Sequence, residues 1–263
     1  MKIDLGGRNA LVTGGSKGLG FAAAMEMAAS GANVAIVARD PTTLAQAREK
    51  ISARAPHVKV VAVQGDVAAA VQVTAVYDQA VRQLGHIDVL VNNAGRHAAS
   101  PFAEISDPAW DDDIQLKLMA TVRLTRLVWP GMVARRWGRI INVLNTYAKA
   151  PIAGSAPTSI TRAAQLALTK VLAHEGGPHN VLSNALLIGR IKSDQIVRRH
   201  RDSGSTMPLD EYMTQYAIEC GVPLGRMGEP EEFGGLVCFL ASDAGGYING
   251  AAINVDGGMA PVV

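Results

Sequence analysis

Short, nearly continuous apolar runs recur along the chain at intervals that leave room for a helix between them. Seven runs have the length of a β-strand, at residues 9–14, 33–38, 58–66, 87–95, 139–145, 181–189 and 251–258. Segments with the apolar spacing of a helix lie between them, at residues 21–30, 43–55, 71–84, 110–135, 159–174 and 230–241. Strands that are apolar on both faces and alternate with helices predict a parallel sheet covered on both sides.

The predicted fold is therefore α/β, a doubly wound, Rossmann-type parallel sheet of about seven strands with helices on both faces. No Pro-, Gly- or Ser-rich linker or shift in composition divides the chain, so residues 1–263 are expected to form a single dinucleotide-binding domain. The polar segment 194–222 is expected to form helices over the carboxyl edge of the sheet. Open α/β sheets bind ligands at that edge, so this segment is predicted to cover a substrate.

Composition and charge exclude several classes of protein. The 263 residues are 48% hydrophobic, enough for a substantial core, and 25 basic against 23 acidic side chains leave a net charge of +2. Such a weak charge indicates neither a nucleic-acid nor a membrane partner. Cys220 and Cys238 have no ligand-like neighbours, so no metal site is expected. No targeting or membrane-spanning run is recognisable, which makes the cytoplasm the expected compartment.

The first predicted strand ends in the glycine-rich stretch "TGGSKGLG". Gly14, Gly18 and Gly20 lie between a strand and a helix, where glycines permit a tight turn and close approach of a pyrophosphate to free helix N–H groups. Ser16, Lys17 and Leu19 complete the loop. The sequence therefore predicts a dinucleotide cofactor here.

The end of the second strand indicates which nicotinamide cofactor is bound. A carboxylate at this point would accept hydrogen bonds from the ribose 2′-hydroxyl, but Ala38 is followed by Arg39. Arg39, with Lys17 as a second cation, can pair with a 2′-phosphate, so NADP(H) is favoured over NAD(H). Asp40 could also turn towards the ribose, although before Pro41 it is more typical of a turn or helix cap.

Several motifs occur together in one order. They are "TGGSKGLG", "GDV" at 65–67, "NNAG" at 92–95, "GRIINV" at 138–143, "ALTKVLAHE" at 167–175, "PLGRMGEPEEFGGLVCFLASD" at 223–243 and "INGAAINVDGG" at 248–258. With these motifs the chain resembles a short-chain dehydrogenase/reductase. The resemblance implies an oxidoreductase with a nicotinamide cofactor, a small-molecule substrate and a homo-oligomer, tetramer or dimer. It also assigns Asp66 and Val67 to the adenine, Asn92, Ala94 and Gly95 to the cofactor cleft, and Ile191 and Ser193 to the carboxamide.

The resemblance also implies a catalytic set of asparagine, serine, tyrosine and lysine. Local register places these at Lys117, Asn145, Thr158 and Arg162 respectively, so all four family residues are replaced. A threonine hydroxyl has a far higher pKa than a phenol, and arginine hardly releases its proton, so the family's mechanism does not carry over.

Other residues could replace the lost proton donor. Lys117 beside Arg162 could have a lowered pKa suited to proton transfer, or could be a solvated lysine paired with Asp113 one turn back. Tyr147 and Lys149 could enter the cleft from the loop after the fifth strand, or could be surface residues. Asn145 can donate a hydrogen bond to a substrate oxygen.

The sequence allows alternative interpretations for several other polar residues. Thr158 and Ser159 are expected to cap the helix that follows. Arg162, near the start of that helix, needs an acceptor, either the cofactor ribose or a protein carboxylate. His97 could face the substrate or belong to a surface loop. The basic run 198–201 is typical of a solvated helix face but could favour an acidic substrate or an acyl-thioester carrier.

Three functions follow. The first is an NADP(H)-dependent oxidoreductase with a rearranged site, acting on a small carbonyl, alcohol or imine, with Lys117, Asn145, Tyr147 and Arg162 positioning the substrate. The second is a non-redox enzyme that reuses the cleft. The third is an NADP(H)-binding sensor or partner subunit without turnover.

Overall fold

A computed structural model describes residues 3–263 and contains one seven-stranded, fully parallel sheet. The strands are β1 Asn9–Thr13, β2 Asn33–Ala38, β3 Val60–Gln64, β4 Val89–Asn92, β5 Gly138–Asn145, β6 Val181–Ile188 and β7 Ala252–Val255. Their spatial order is β3-β2-β1-β4-β5-β6-β7. The predicted doubly wound sheet is confirmed, and its strand order reverses between β1 and β4, where such sheets bind nucleotides.

Nine α-helices are found in residues 3–263. They are α1 Gly18–Ala29, α2 Pro41–Arg54, α3 Ala70–Leu84, α4 Asp107–Asp113, α5 Ala120–Arg135, α6 Thr158–Gly176, α7 Asp194–Asp202, α8 Leu209–Glu219 and α9 Pro230–Ala241. The single helix predicted over 110–135 is instead α4 and α5 joined by a π-helix, Ile114–Met119. Within the described chain, no helix combines the length and apolar character needed to span a membrane.

The core has two halves because successive strand residues point to opposite faces of the sheet. Val12 packs in the apolar cluster that includes Phe233 of α9, whereas its neighbour Leu11 packs in the cluster that includes Leu124 of α5. Helices on each face thus cover strands that are buried on both sides, which explains the near-continuous apolar runs in the sequence.

The carboxyl edge of the sheet gathers the polar residues that follow its strands. Asn145 at the end of β5 is in register with Ile188 at the end of β6, so the segments after these two strands leave the sheet side by side. The predicted covering segment forms α7 and α8 directly after this point. These helices and the segment after α8 share a small apolar cluster, formed by Ile196, Met213, Ala217, Val222 and Met227.

Candidate active site

The glycine-rich loop has the backbone geometry that a dinucleotide requires. Gly14 and Gly18 have φ values of 65° and 53°, in the left-handed region that favours glycine. A Cβ at Gly20 would overlap the carbonyl oxygen of Gly14. Lys17 precedes α1 without a capping hydrogen bond from its side chain, and the first turn carries no acidic residue, so its N–H groups can receive a pyrophosphate. Ser16 and Leu19 are partly exposed in this loop.

Asn93, which the sequence reasoning passed over, holds the loop in place. Its Nδ2 donates to the carbonyl oxygens of Thr13 at 2.9 Å and Gly14 at 3.3 Å. The Thr13 hydroxyl in turn accepts hydrogen bonds from the backbone N–H groups of Asn93 and Ala94. The side chain of Asn92 points away from this loop, because it is buried and donates to Asn142 Oδ1 at 2.9 Å. The Asn92 side chain is therefore used within the sheet, and the assignment of Asn92 to the cofactor cleft stays a prediction.

At the end of β2 the cation of Arg39 is exposed, whereas the carboxylate of Asp40 is used as a helix cap. The Arg39 side chain is 72% exposed, and its Nη1 lies 3.9 Å from Asp66 Oδ2. Asp40 caps α2 as predicted, accepting a hydrogen bond from the Thr43 N–H at 2.8 Å. Hydrogen bonds from the Thr43 side chain and backbone lower the pKa of Asp40. The resemblance assigns Asp66 and Val67 to the adenine. Val67 is buried in the core, so Asp66 is the one of the two with a polar side chain to offer.

Lys117 lies in the π-helix and is buried, with 1% of its surface exposed. Its Nζ forms an ion pair with Asp113 and donates to Thr158 Oγ1 at 2.8 Å. The predicted pair with Asp113 is present, but the solvated alternative is wrong. Burial lowers the pKa of Lys117 to about 8, even though the hydrogen bond to Asp113 raises it, and the charge of Arg162 lowers it further.

Side chains from α5 and α6 fix the position of this pair. Asp113 Oδ2 accepts from the Thr161 hydroxyl at 2.7 Å. The carbonyl oxygen of Lys117 accepts from Gln165 Nε2 at 3.0 Å and from the Thr121 hydroxyl at 2.9 Å. The π-helix thus places a carbonyl group where α6 can bind it. No sequence signal had marked Gln165, Thr121 or the π-helix.

Arg162 is buried and has an amide as its partner. Its Nη1 donates to Gln165 Oε1 at 2.7 Å. Within residues 3–263 no carboxylate lies within 4 Å of its guanidinium, although the charge of Asp113 offsets part of the burial that lowers the pKa of Arg162 to about 10. The predicted direct pair with a protein carboxylate is therefore absent from the described chain. Ala94 and Gly95 follow β4, and Gly95 packs against this guanidinium.

The Thr158 hydroxyl does not cap α6. The helix begins at Thr158, its N-cap residue is Pro157, and no side chain makes a capping hydrogen bond there, so the capping prediction for Thr158 and Ser159 is wrong. Instead Thr158 Oγ1 accepts from Lys117. A hydroxyl also carries one proton to donate, and in the described chain Thr158 Oγ1 donates to no acceptor. That proton is free for a bound molecule.

The end of β5 contributes Asn145 and Tyr147. Asn145 Oδ1 is buried without a hydrogen-bond partner in residues 3–263. The Tyr147 hydroxyl accepts from Arg190 Nη2 at 3.4 Å. Lys149 turns away from this edge and donates to Ala252 O at 2.7 Å on β7, so the expectation that its amine enters the cleft is wrong.

The segment after β6 carries the residues expected near the carboxamide. Ile191 is buried and bridges to Gly228, and the residue before α7 is Ser193, whose side chain makes no capping hydrogen bond. Arg190 precedes them and was not singled out from the sequence. Its guanidinium reaches Tyr147 and so belongs to the same edge.

His97 lies on the exposed loop after β4, where the charges of Lys117 and Arg190 act on it. The loop that carries it is tied down by an Arg96–Asp112 ion pair of 3.0 Å and by the Ser100 N–H, which donates to Ala156 O at 2.9 Å, two residues before Thr158. Burial lowers the pKa of His97, and the charges of Lys117 and Arg190 lower it further. His97 thus lies in positively charged surroundings.

Comparison with known proteins identifies the scaffold. Residues 8–203 match the family described as short chain dehydrogenase. The chain belongs to the short-chain dehydrogenase family. It is 33% identical over 259 residues to the 3-oxoacyl-(acyl-carrier-protein) reductase FabG of Aquifex aeolicus, a match that covers 98% of this chain and 100% of the relative.

Two solved structures of this short-chain dehydrogenase fold are similar over their whole length. L-sorbose reductase of Gluconobacter frateurii, in complex with NADPH and L-sorbose, has a TM-score of 0.94 and 32% identity, with 100% of both chains covered. A short chain oxidoreductase of Pseudomonas aeruginosa PAO1, which contains an atypical catalytic center and has NADPH bound, has a TM-score of 0.92 and 35% identity, with 99% of both covered. The chain is thus an NAD(P)-dependent oxidoreductase by family.

Proposed function

We propose that this short-chain dehydrogenase is an NADP(H)-dependent oxidoreductase that lacks the family's asparagine, serine, tyrosine and lysine and uses Lys117 with Thr158 as its proton donor. Its substrate is a small carbonyl compound or imine, or the corresponding alcohol or amine. The observation that carries this proposal is the 2.8 Å hydrogen bond from Lys117 Nζ to Thr158 Oγ1, in a buried site where the Thr158 proton has no acceptor in the described chain.

Proton transfer from Thr158 is feasible only because Lys117 is hydrogen-bonded to it and can replace the proton. When bound, the cofactor supplies a hydride to the substrate carbon, and the substrate oxygen then needs a proton. Thr158 gives its hydroxyl proton to that oxygen while Lys117 replaces it along the existing hydrogen bond. Since the pKa of Lys117 is lowered to about 8, its ammonium is near the optimum for a general acid at neutral pH.

The neighbouring groups orient the substrate and keep Lys117 acidic. Asn145 has an unpartnered carboxamide at the end of β5, and its Nδ2 can donate to the substrate oxygen. Arg162, held by Gln165, contributes a fixed charge that favours the neutral form of Lys117 and can bind the cofactor ribose. Tyr147 is bound to Arg190 and is assigned to substrate positioning rather than proton transfer.

The preference for NADP(H) is supported by the end of β2. Arg39 is largely exposed and Lys17 lies in the glycine-rich loop, so two cations are available to a 2′-phosphate. The Asp40 carboxylate, which would favour NAD(H) by binding the 2′-hydroxyl, is committed to the Thr43 N–H.

Two substitutions of Thr158 test the proton donor. Thr158→Val keeps the shape of the side chain but removes the hydroxyl, and Thr158→Ser keeps the hydroxyl. Single-turnover oxidation of NADPH is measured with small ketones, aldehydes and cyclic imines. We expect Thr158→Val to slow turnover by about 10²-fold or more and Thr158→Ser by less than about tenfold, since general acids contribute about 10² to 10⁴ in rate.

The control is Thr125→Val, a buried threonine on α5 whose hydroxyl has no partner in the described chain. This variant should leave turnover unchanged, and all three variants should bind NADPH as the wild type does. Equal turnover of Thr158→Val and Thr158→Ser would contradict the proton relay. Tight NADPH binding with no oxidation by any substrate would favour the sensor or partner subunit instead.

A further inference from the structure

Arg190 lies beside the proposed reaction site. It follows β6 by two residues, and the last residue of β6, Ile188, is in register with Asn145. Its Nη2 donates to the hydroxyl of Tyr147, two residues after Asn145. The guanidinium is therefore held at the edge of the sheet where Asn145 and Thr158 meet the substrate.

Arg190 has no ion-pair partner among the described residues. In residues 3–263 no carboxylate lies within 4 Å of it, and its Nε is buried without an acceptor. Arg226, by comparison, binds both carboxylate oxygens of Glu232 at 2.9 and 2.8 Å. Tyr216 and Cys220 raise the pKa of Arg190 against the effect of burial, so the guanidinium stays charged, and no carboxylate of the described residues occupies the position of an anion that could bind there.

A second arginine approaches the same place from the covering segment. The guanidinium carbon of Arg190 lies 5.4 Å from the ring centre of Tyr216 on α8, and that of Arg199 on α7 lies 4.8 Å from the same ring. Arg199 also has no carboxylate within 4 Å in the described chain. One arginine of the basic run 198–201, Arg199, thus lies near the same Tyr216 ring as Arg190.

Positive charge dominates this edge as a whole. Among residues 3–263, the one carboxylate paired with any of Lys117, Arg162 and Arg190 is that of Asp113, which binds Lys117 and Thr161. The effect reaches His97, whose pKa is lowered by burial and by the charges of Lys117 and Arg190. A cleft with this balance favours an anionic substrate over a neutral or cationic one.

The 2′-phosphate of the cofactor does not explain Arg190. Arg39, expected at the 2′-phosphate, follows β2, and four strand spacings separate β2 from β6 in the sheet, about 19 Å at about 4.8 Å each. Arg190 is on the side expected for the substrate and carboxamide, next to Ile191.

We infer that the substrate is an oxo acid, reduced to the corresponding hydroxy acid, and that Arg190 binds its carboxylate while the carbonyl faces Thr158. A guanidinium can donate two parallel hydrogen bonds to a carboxylate, which fixes the orientation as well as the position of a small molecule. Arg199 adds long-range attraction. This inference rests on the proposed function and names the substrate class of the same site.

Binding is tested in complexes with NADP+, which cannot deliver a hydride to an oxo acid. The probes are 2-oxobutanoate, acetoacetate and 4-oxopentanoate, which place the carboxylate at increasing distance from the carbonyl, each against its methyl ester. Affinity is measured by calorimetry, and the pKa of His97 by NMR, with His97→Gln to assign its signal. The variants are Arg190→Gln and, as the matched control, Arg198→Gln, an exposed arginine of α7.

We expect at least one acid to bind at least about tenfold tighter than its ester, to raise the pKa of His97, and to lose this advantage in Arg190→Gln but not in Arg198→Gln. NADPH affinity should change by less than about twofold in both variants. Equal binding of every acid and ester, equal weakening of both by Arg190→Gln, or no binding of any acid would overturn the inference.

Turnover separates this inference from the proposed function. If the substrate class is wrong, the esters or uncharged ketones are reduced as well as the acids, yet Thr158→Val still slows them. If the proton relay is wrong, the acids still depend on Arg190 for binding, but Thr158→Val turns over as fast as Thr158→Ser.

Discussion

A Cβ at Gly95 would lie 2.5 Å from Nη2 of Arg162. Non-bonded heavy atoms prefer about 3.5 to 4.0 Å, so any side chain at residue 95 requires the guanidinium to move. The backbone of Gly95 does not have a positive φ, so this glycine is needed for the space beside Arg162 rather than for its own conformation. The "NNAG" motif and the arginine of α6 are therefore coupled.

Gly95→Ala is expected to displace Arg162 and weaken its hydrogen bond to Gln165. We expect weaker NADPH binding and a loss of about 1 kcal/mol in unfolding free energy, because the clashing atom is the end of the Arg162 side chain. In an Arg162→Met background the same substitution should cost less, because the clashing atom is gone. Denaturant unfolding of the four proteins in this cycle measures the coupling, and additive effects would contradict it.

Arg39→Asp is expected to shift preference from NADPH towards NADH. The substitution removes a cation from the expected 2′-phosphate site and adds a carboxylate that can accept from the ribose 2′-hydroxyl. Arg48→Asp, an equal change of charge at an exposed position of α2, serves as the control and should leave the preference unchanged. Fluorescence titration with both cofactors measures it. If both variants lower NADPH affinity alike, general charge and not Arg39 determines the preference.

The sequence predicted the scaffold better than it predicted the site. Apolar runs at 33–38 and helical spacing at 230–241 coincide with β2 and α9, because buried strands and amphipathic helices leave periodic patterns. The site depends on backbone detail that leaves no such pattern. The π-helix changes which atoms face α6, and only the folded chain shows that Lys117 meets Thr158 and that its carbonyl meets Gln165.

Contacts of single residues escape sequence prediction for the same reason. Hydroxyls after a proline are typical helix caps. The Thr158 hydroxyl instead accepts a hydrogen bond from the buried ammonium of Lys117, 41 residues earlier in the chain. The Lys149 side chain donates a hydrogen bond to the edge strand β7, and the Asn92 side chain donates one to a neighbouring strand. In each case a tertiary partner competes successfully with the local preference, and local sequence does not contain that partner.

Asp113→Asn is expected to make Lys117 more acidic. The carboxylate raises the pKa of Lys117 against the effect of burial, so removing its charge lowers that pKa below about 8. Reduction requires protonated Lys117, so its rate should begin to fall at lower pH than in the wild type. The variant should also be less stable, because Lys117 loses its ion-pair partner in a buried site.

Asp112→Asn is the control for this pH shift. Asp112 is the exposed neighbour of Asp113 and pairs with Arg96, so its loss should leave the pH dependence of turnover in place. Rate profiles of the two variants are compared with that of the wild type. A profile for Asp113→Asn that coincides with the wild type, or moves to higher pH, would show that Asp113 does not control the proton donor.

The pH dependence of hydride transfer in a single turnover shows whether Lys117 is the proton source. Reduction of a carbonyl substrate by bound NADPH should be constant at low pH and fall about tenfold per pH unit above about pH 8, as Lys117 loses its proton. In Lys117→Arg, which stays charged and hardly releases a proton, the rate should be far lower and without this fall. A wild-type rate that is constant from about pH 6 to about pH 10, or a fall that persists in Lys117→Arg, would show that Lys117 is not the proton source.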